Sequence, residues 1–486
     1  MRFWVTESCL SPISRRRPRP WRRAVARFTV EEAARAVGGR IAAGDPQSVI
    51  DGAAIDSRAV RSGEVFFAFG GAHTDGHRFV PDALARGAAA AIVQEDLSVS
   101  SGALIRVDDT FQALHDLARF VRARTPERLV GITGSAGKTT TKELLAAMLA
   151  ARFRTHWTPG NLNNLYGFPL SLLNVPDGTQ WMVAEMGMST PGELHQLSLL
   201  GRPDAAVFTV VRPVHLEFFG TIQAIAEAKS EILAGLAPDG FIVANADDPE
   251  VTRISLRHGA RVVWYGLGAE HAEVRGRHIV PEPDGGVGSR FELTAEGQSA
   301  EVRLPLHGLY NVENCVAAAA CAWALGLSLE EIAAAVAGVK PASMRGVVHR
   351  AEAGFLLIDD SYNSNPDAVG KALESAAAFP AERRVAVLGD MLELGPEGPR
   401  FHREAGERAA ALGFLVVGVG ELSRELVHGV ENAGSGAVWL PDADAASEWA
   451  ASQIRPGDVV LVKGSRGVKL DRVVRRLLGE SGEGAH

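Results

Sequence analysis

Gly131-Ile132-Thr133-Gly134-Ser135-Ala136-Gly137-Lys138-Thr139-Thr140 is the stretch on which the fold turns. An apolar run over 129–132 leads into it, and a helical pattern with Leu145, Met148 and Leu149 on its inner face follows. A strand, a glycine-rich turn and a helix in that order form a phosphate loop. Glycines let backbone N–H groups turn toward phosphate oxygens, and the helix N-terminus adds its positive dipole end. Gly134, Ser135, Ala136 and Gly137 then form the cradle, Lys138 reaches the terminal phosphates, and the Thr139 hydroxyl helps to hold Mg²⁺, with Thr140 beside it. One departure stands out: Ile132 occupies the position five residues before Gly137 where the common pattern has glycine. The loop indicates nucleotide binding without naming a reaction.

Around this loop the chain runs to 486 residues, too many for one core and enough for about three domains of roughly 100–200 residues each. Apolar residues make up 46%, and the net charge of −8 argues against the basic face of a nucleic-acid protein. A local basic pocket for an anionic substrate remains compatible with that charge. Cys9, Cys315 and Cys321 form no CxxC pair, so neither a zinc site nor a disulfide framework is indicated, and free thiols fit a reducing cytoplasm. No run approaches the roughly 18 apolar residues of a membrane span. Residues 1–27 crowd Arg15, Arg16, Arg17, Arg19, Arg22 and Arg23 into a Pro-rich stretch without the apolar core of a signal peptide. They read as a disordered basic extension, the alternative being a tail for an acidic partner.

The rest predicts three α/β domains, over 28–112, 113–340 and 341–486. In the first, 65–69 reads as a strand and 79–91 as an Ala-rich helix. An amphipathic helix over 111–125, with Leu114, Leu117, Ala118 and Val121 on one face, leads into the second. There, apolar strands at 129–132, 181–184, 205–210, 241–244 and 262–265 alternate with helices, which predicts a parallel sheet covered on both faces. Residues 272–305 break the pattern and read as a β-hairpin insertion, after which 314–325 returns to helix. The alternation restarts in the third domain with strands at 355–358, 385–388, 415–417 and 459–462, and 479–486 reads as a frayed tail.

Glu185 closes the strand at 181–184. Ligands of an open parallel sheet sit beyond the carboxyl ends of its strands, so this carboxylate could bind a cation beside the phosphates or cap a helix. His215 follows the next strand on the same edge, as a ligand or a structural histidine. Lys229, between Glu227 and Glu231 on a predicted helix, reads by itself as a solvated lysine. Asn245, Asp247 and Asp248 end another strand, where short polar side chains cap turns or touch a ligand.

Together with four further stretches, these features resemble the Mur ligases of peptidoglycan synthesis from about residue 28 onward. The stretches are Asn161-Leu162-Asn163-Asn164-Leu165-Tyr166-Gly167, Asp359-Asp360-Ser361-Tyr362-Asn363-Ser364-Asn365-Pro366, Leu388-Gly389-Asp390-Met391-Leu392-Glu393-Leu394-Gly395 and Val462-Lys463-Gly464-Ser465-Arg466-Gly467. The second and third resemble the branch that adds D-alanyl-D-alanine to UDP-N-acetylmuramoyl-tripeptide. The sister branch, which adds the third residue, usually has a Tyr-Ala-His-Thr-Pro type motif where 361–366 stands here, and an Asp-Asn-Pro-Arg motif absent from this chain.

The resemblance implies an N-terminal UDP-sugar-binding domain, a central P-loop parallel-sheet ATPase domain and a C-terminal Rossmann-like domain. It implies ATP and two Mg²⁺ ions: Thr139 and Glu185 at the ion that bridges the ATP phosphates, His215 and a carbamylated Lys229 at the second. A carbamate needs an uncharged amine, hence a lysine pKa lowered by burial or nearby cations, and it presents the oxygen that a hard cation prefers. Lys138, Lys229 and His215 then form the catalytic set. Asn311 resembles the nucleotide-contacting asparagine, and Arg345 and Asp360 would close over ATP. Ser57 and Arg58, with His77 nearby, would hold the UDP end. Asn161 and Asn164 would line the sugar-peptide channel, Asn363 and Asn365 would contact the incoming dipeptide, and Lys463 and Ser465 would face the same cleft. The implied reaction activates the precursor's carboxylate as an acyl phosphate, which the amine of D-alanyl-D-alanine then attacks. A cytoplasmic monomer is expected. The rival readings are the sister ligase, a folate polyglutamate ligase, a P-loop NTPase of another class and a scaffold that binds nucleotide without turnover.

Overall fold

The computed structural model of the chain describes residues 27–71, 75–282 and 286–480. The predicted basic extension, apart from Arg27, and residues 481–486 of the predicted tail lie outside the described residues.

The phosphate-loop strand, Arg128–Thr133, is buried along its length after Arg128, as an apolar strand covered on both faces must be. It pairs in parallel with Trp181–Glu185 on one side, Glu185 opposite Ile132, and with Ala205–Phe208 on the other, Phe208 opposite Thr133. Among the described residues the central sheet has nine strands, with Thr155–Trp157 at one edge and Gln298–Leu304 at the other. Chain order reverses beside Arg128–Thr133, since the strand after Trp181–Glu185 lies on its opposite flank. A crevice therefore opens at the carboxyl ends, where such sheets bind ligands. The helix Lys138–Ala150 covers one face with Leu144, Leu145, Met148 and Leu149, packed against Ala317 and its neighbours on Leu309–Ala324.

Among the described residues the N-terminal domain carries a five-stranded sheet in the order Arg40–Ala43, Ala103–Arg106, Ala90–Val93, Val65–Phe67, Ala53–Ala54. The third domain carries, again among the described residues, six strands, parallel except for Val347–Arg350 at one edge. The helix Thr110–Arg122 runs across the predicted boundary between 112 and 113. Its Leu114, Leu117, Ala118 and Val121 share one apolar cluster with Val65, Phe67 and Ile92 of the first sheet and with Phe168, Met182 and Leu197 of the central domain. The third domain keeps its own clusters on the two faces of its sheet.

Two sequence expectations are corrected. The helix expected over 79–91 is Val80–Ala85 only, and Ala90–Val93 is a fully buried strand. Gly87, at φ +99°, ends the helix. Alanine's helix propensity masked a strand whose small residues let both faces of the sheet be covered closely. The hairpin insertion expected over 272–305 is instead three strands, Val274–Pro281, Ser289–Ala295 and Gln298–Leu304, that extend the central sheet. Val274 pairs in parallel with Tyr265, and a tight turn at Glu296 and Gly297, both at positive φ, returns the chain.

Candidate active site

The phosphate loop is held by the end of the neighbouring strand. Ser135 N–H donates to Val210 O at 2.7 Å, Ser135 Oγ donates to Arg212 O at 3.0 Å, and Thr209 Oγ1 donates to Ala136 O at 2.6 Å. Gly134 and Gly137 take φ of +151° and +82°. A Cβ would overlap Thr209 Oγ1 at the first and Asn314 Oδ1 at the second, so glycine is required at both by conformation and by space. Gly134→Ala is expected to weaken binding of an ATP analogue roughly tenfold to a hundredfold, the effect of a backbone strained by about 1–3 kcal/mol. Calorimetric titration reads this, and unchanged affinity would show that the loop does not need its glycine.

Beyond the loop lies a cavity of about 340 Å³. Thr139, buried at the start of the loop helix, donates its hydroxyl to Glu185 Oε2 at 2.6 Å, and Asn163 Nδ2 donates to Glu185 Oε1 at 2.7 Å. The Glu185 main chain is fixed too, its N–H donating to Thr158 Oγ1 at 3.1 Å. A hydroxyl and a carboxylate oxygen side by side are a hard donor set that suits Mg²⁺. Lys138 donates to Gly134 O at 2.9 Å. Burial lowers its pKa, opposed by Glu185 and reinforced by Arg345.

Lys229 reaches the same cavity from the helix Ile222–Ser230 and is 3% exposed. No carboxylate pairs with it among the described residues. Burial first, and then the neighbouring Lys138 ammonium, push its pKa well below the ordinary lysine value. Its flanking acids point elsewhere: Glu227 pairs with Arg253 and Arg257, and Glu231 accepts from the N–H groups of Gly192 and His195. The solvated lysine of the local sequence reading is therefore a buried amine poised toward its neutral form. His215 completes this wall of the cavity. Burial lowers its pKa, opposed by Glu393, which hydrogen-bonds its Nδ1.

The third domain closes the cavity. Lys463, 3% exposed, donates to Asp360 Oδ2 at 2.6 Å and to Asn363 O at 3.0 Å. The Arg345 guanidinium lies 4.0 Å from the centre of the Tyr362 ring. Ion pairs bridge the two domains, Arg212 to Asp367 at 3.3 Å and Lys371 to Glu313 at 2.9 Å.

Three models of known domains match: the Mur ligase middle domain over residues 132–322, the Mur ligase, glutamate ligase domain over 344–466 and the Mur ligase family, catalytic domain over 49–147. The UDP-N-acetylmuramoyl-tripeptide--D-alanyl-D-alanine ligase of Bacillus subtilis is 34% identical over 469 residues, covering 93% of this chain and 98% of that protein. The chain belongs to the Mur ligase family. The Escherichia coli protein of the same name is 35% identical across 88% of this chain and 94% of its own length. Among solved structures, MurF from Acinetobacter baumannii superposes with a TM-score of 0.84 at 30% identity, covering 94% of this chain and all (100%) of that one. The MurF ligase of Thermotoga maritima in complex with ADP gives 0.77 at 31%, over 88% of this chain and 97% of that one.

The Mur ligase cavity gathers Ser135, Ala136, Gly137, Lys138, Thr139, Thr140, Asn164, Glu185, His215 and Lys229 from the central domain, and Arg345, Asp360, Asn363, Asn365 and Lys463 from the third. Other expected residues stand apart from its lining. Asn161 is exposed, and Asn163 takes the place beside Glu185. Asn311 is buried, donating to His307 O at 2.8 Å, while its neighbours Glu313 and Asn314 line the cavity. Ser465 Oγ accepts from Leu392 N–H at 3.0 Å inside the third domain. Ser57, Arg58 and His77 lie in the N-terminal domain. Arg58 forks onto Asp56, and both His77 nitrogens are committed, Nδ1 to Asp75 at 2.7 Å and Nε2 to Gln94 N–H at 2.9 Å. Asn164 and Asn365 line the cavity but also cap, accepting from Gly167 N–H and Ala368 N–H. Sequence spacing places such a run of asparagines at a strand end. It does not say which member turns inward.

Proposed function

We infer that this Mur ligase uses ATP to join D-alanyl-D-alanine to UDP-N-acetylmuramoyl-tripeptide, giving UDP-N-acetylmuramoyl-pentapeptide, ADP and phosphate for peptidoglycan synthesis. One observation carries the reading: a phosphate loop, a hydroxyl–carboxylate oxygen pair, a buried amine and third-domain polar side chains all face one cavity, in a chain whose D-alanyl-D-alanine-adding relatives match it nearly end to end.

A carboxylate and an ammonium do not condense in neutral water, so the acid must be activated and the amine must be neutral. In the first step the tripeptide's terminal carboxylate attacks the γ-phosphorus: an O–P bond forms, the bond to the β–γ bridging oxygen breaks, and ADP leaves. Anions meet there, and a loose phosphoryl transition state leaves the protein mainly positioning and charge compensation to do. The loop N–H groups hold the phosphates, and Lys138, released from Gly134 O, offsets their charge. In the second step the neutral dipeptide amine attacks the acyl carbon, the C–N bond forms, the acyl C–O bond to phosphate breaks, and the amine's proton passes to solvent or to the departing phosphate. On the third domain's wall, Asn363 and Asn365 would contact the dipeptide beside Lys463, Arg345 and Asp360 would close over ATP, and closure of that domain would shield the acyl phosphate from water.

Thr139 and Glu185 would hold one Mg²⁺, and His215 and Lys229 a second; bound there, the ions offset charge building on the phosphoryl oxygens. Lys229 suits this role as a carbamate. Its neutral amine adds to CO₂, an N–C bond forms and one proton is released to solvent; the resulting anion attracts Lys138, where a protonated lysine would repel it. Ser57 and Arg58 remain our candidates for the UDP end. Buried free thiols at Cys315 and Cys321 support a cytoplasmic setting; among the described residues no helix is long and apolar enough to cross a membrane.

The test is a phosphate-release assay. Release is expected only when ATP, the UDP-muramoyl-tripeptide and D-alanyl-D-alanine are all present. Equal release with ATP alone would instead make the protein an NTPase.

A further inference from the structure

The contact between His215 and Glu393 joins two domains at a single turn. His215 sits at φ +54°, in the left-handed region that side chains rarely adopt, and its ring lines the cavity beside Lys229. Nδ1 is hydrogen-bonded to Glu393 Oε2. Nε2 is thereby the ring nitrogen left without a protein partner among the described residues. Glu393 comes from the third domain, on the loop after the strand Arg383–Gly389, and is itself left-handed at φ +64°. Its backbone carbonyl accepts from Glu217 N–H at 3.3 Å, so side chain and main chain both engage the His215 turn. The loop is braced from within its own domain: Met391 N–H donates to His402 Nε2 at 2.9 Å and Leu392 N–H to Ser465 Oγ at 3.0 Å. This bracing explains why Ser465 faces away from the cavity.

A metal-binding histidine commonly gives its second ring N–H to a carboxylate, which fixes tautomer and ring orientation. Here that carboxylate would be supplied by a different domain from the one that carries the histidine. We propose that Glu393 is a positioning residue: it locks the His215 ring with Nε2 toward the cavity, so the second metal site is complete only when the third domain is packed against the central one. The inference rests on the second-metal reading above. It makes occupancy of that site report closure, with His215 free to rotate when the domains part.

The test uses the full chain with a non-hydrolysable ATP analogue and Mn²⁺ as the probe ion, titrated by electron paramagnetic resonance. The wild type is expected to take up two ions. Glu393→Ala should loosen one of them by about tenfold or more, the scale of losing a carboxylate behind a ligating histidine, and leave the other unchanged. Glu393→Gln keeps an oxygen to accept from Nδ1–H and should recover most of that affinity. His215→Ala should lose the same ion, and adding Glu393→Ala to it should cost nothing more. Two ions bound by Glu393→Ala as tightly as by the wild type would overturn the inference and leave the second-metal reading standing. Equal weakening of both ions would also overturn it. A wild type that binds one ion while making the pentapeptide would overturn the second-metal reading, and the inference with it.

Discussion

Lys138→Met should lower kcat by about 10²–10³-fold or more, the range found when one donor to a developing charge is removed from a water-poor site. Methionine keeps the length and apolar volume of the side chain, so the fold should survive. The mechanism places the Lys138 ammonium on the phosphates once it leaves Gly134 O, where it is held at 2.9 Å before that. The loop N–H groups would still bind nucleotide, so the loss should fall on kcat more than on the KM for ATP. Burial already lowers the lysine pKa, and a bound polyphosphate would raise it again by offsetting that cost. The measurement is steady-state phosphate release with all three substrates. A variant within about threefold of wild type would remove Lys138 from the chemistry.

Lys229→Ala should be nearly as damaging and, unlike Lys138→Met, partly reversible. Loss of an outer-shell group behind a metal commonly costs 10–100-fold, so loss of a ligand should cost at least about a hundredfold. The substitution leaves a hole lined by the cavity wall, and a short-chain carboxylic acid can place there the carboxylate that the carbamate would have supplied. Activity should therefore return with added acetate or propionate in the Lys229 variant and not in the Lys138 variant. The sign of the pKa shift sets the pH dependence. Because the Lys229 pKa is depressed, its amine becomes available to CO₂ at a lower pH than an ordinary lysine's, so carbamate formation should extend to lower pH than at a solvated lysine. Full activity in Lys229→Ala with no response to carboxylic acids would dispose of the carbamate.

How legible all this was depended on whether a residue's role is local. The phosphate loop was readable because its chemistry is consecutive: strand, glycines, lysine and hydroxyl occupy 131–140. Lys229 was not readable by itself. Its burial comes with the helix Ile222–Ser230, whose Ile225, Ala226 and Ala228 join the apolar cluster of the central domain, and its neighbours Glu227 and Glu231 promise solvent but pair elsewhere. Only the resemblance singled it out. Asn163 was missed in favour of Asn161 and Asn164 because three asparagines in four positions give no phase, and a hydrogen bond to Glu185 decides the matter. Glu393 carried no signal of its own, being one acid in a motif whose partner lies 178 positions away. In the fold, long apolar strands were read correctly, whereas Ala90–Val93 was lost to alanine's helical bias.

The apolar cluster shared across the helix Thr110–Arg122 bears on how the molecule can be divided. Severing the chain at 112 would strand Leu114, Leu117 and Val121 on one fragment and their partners Val65 and Phe67 on the other, each with a raw greasy face. The first two domains thus behave mechanically as a single jaw, and the third, with separate clusters of its own, is the piece free to swing. Any excision meant to yield a well-behaved fragment has to take the jaw whole.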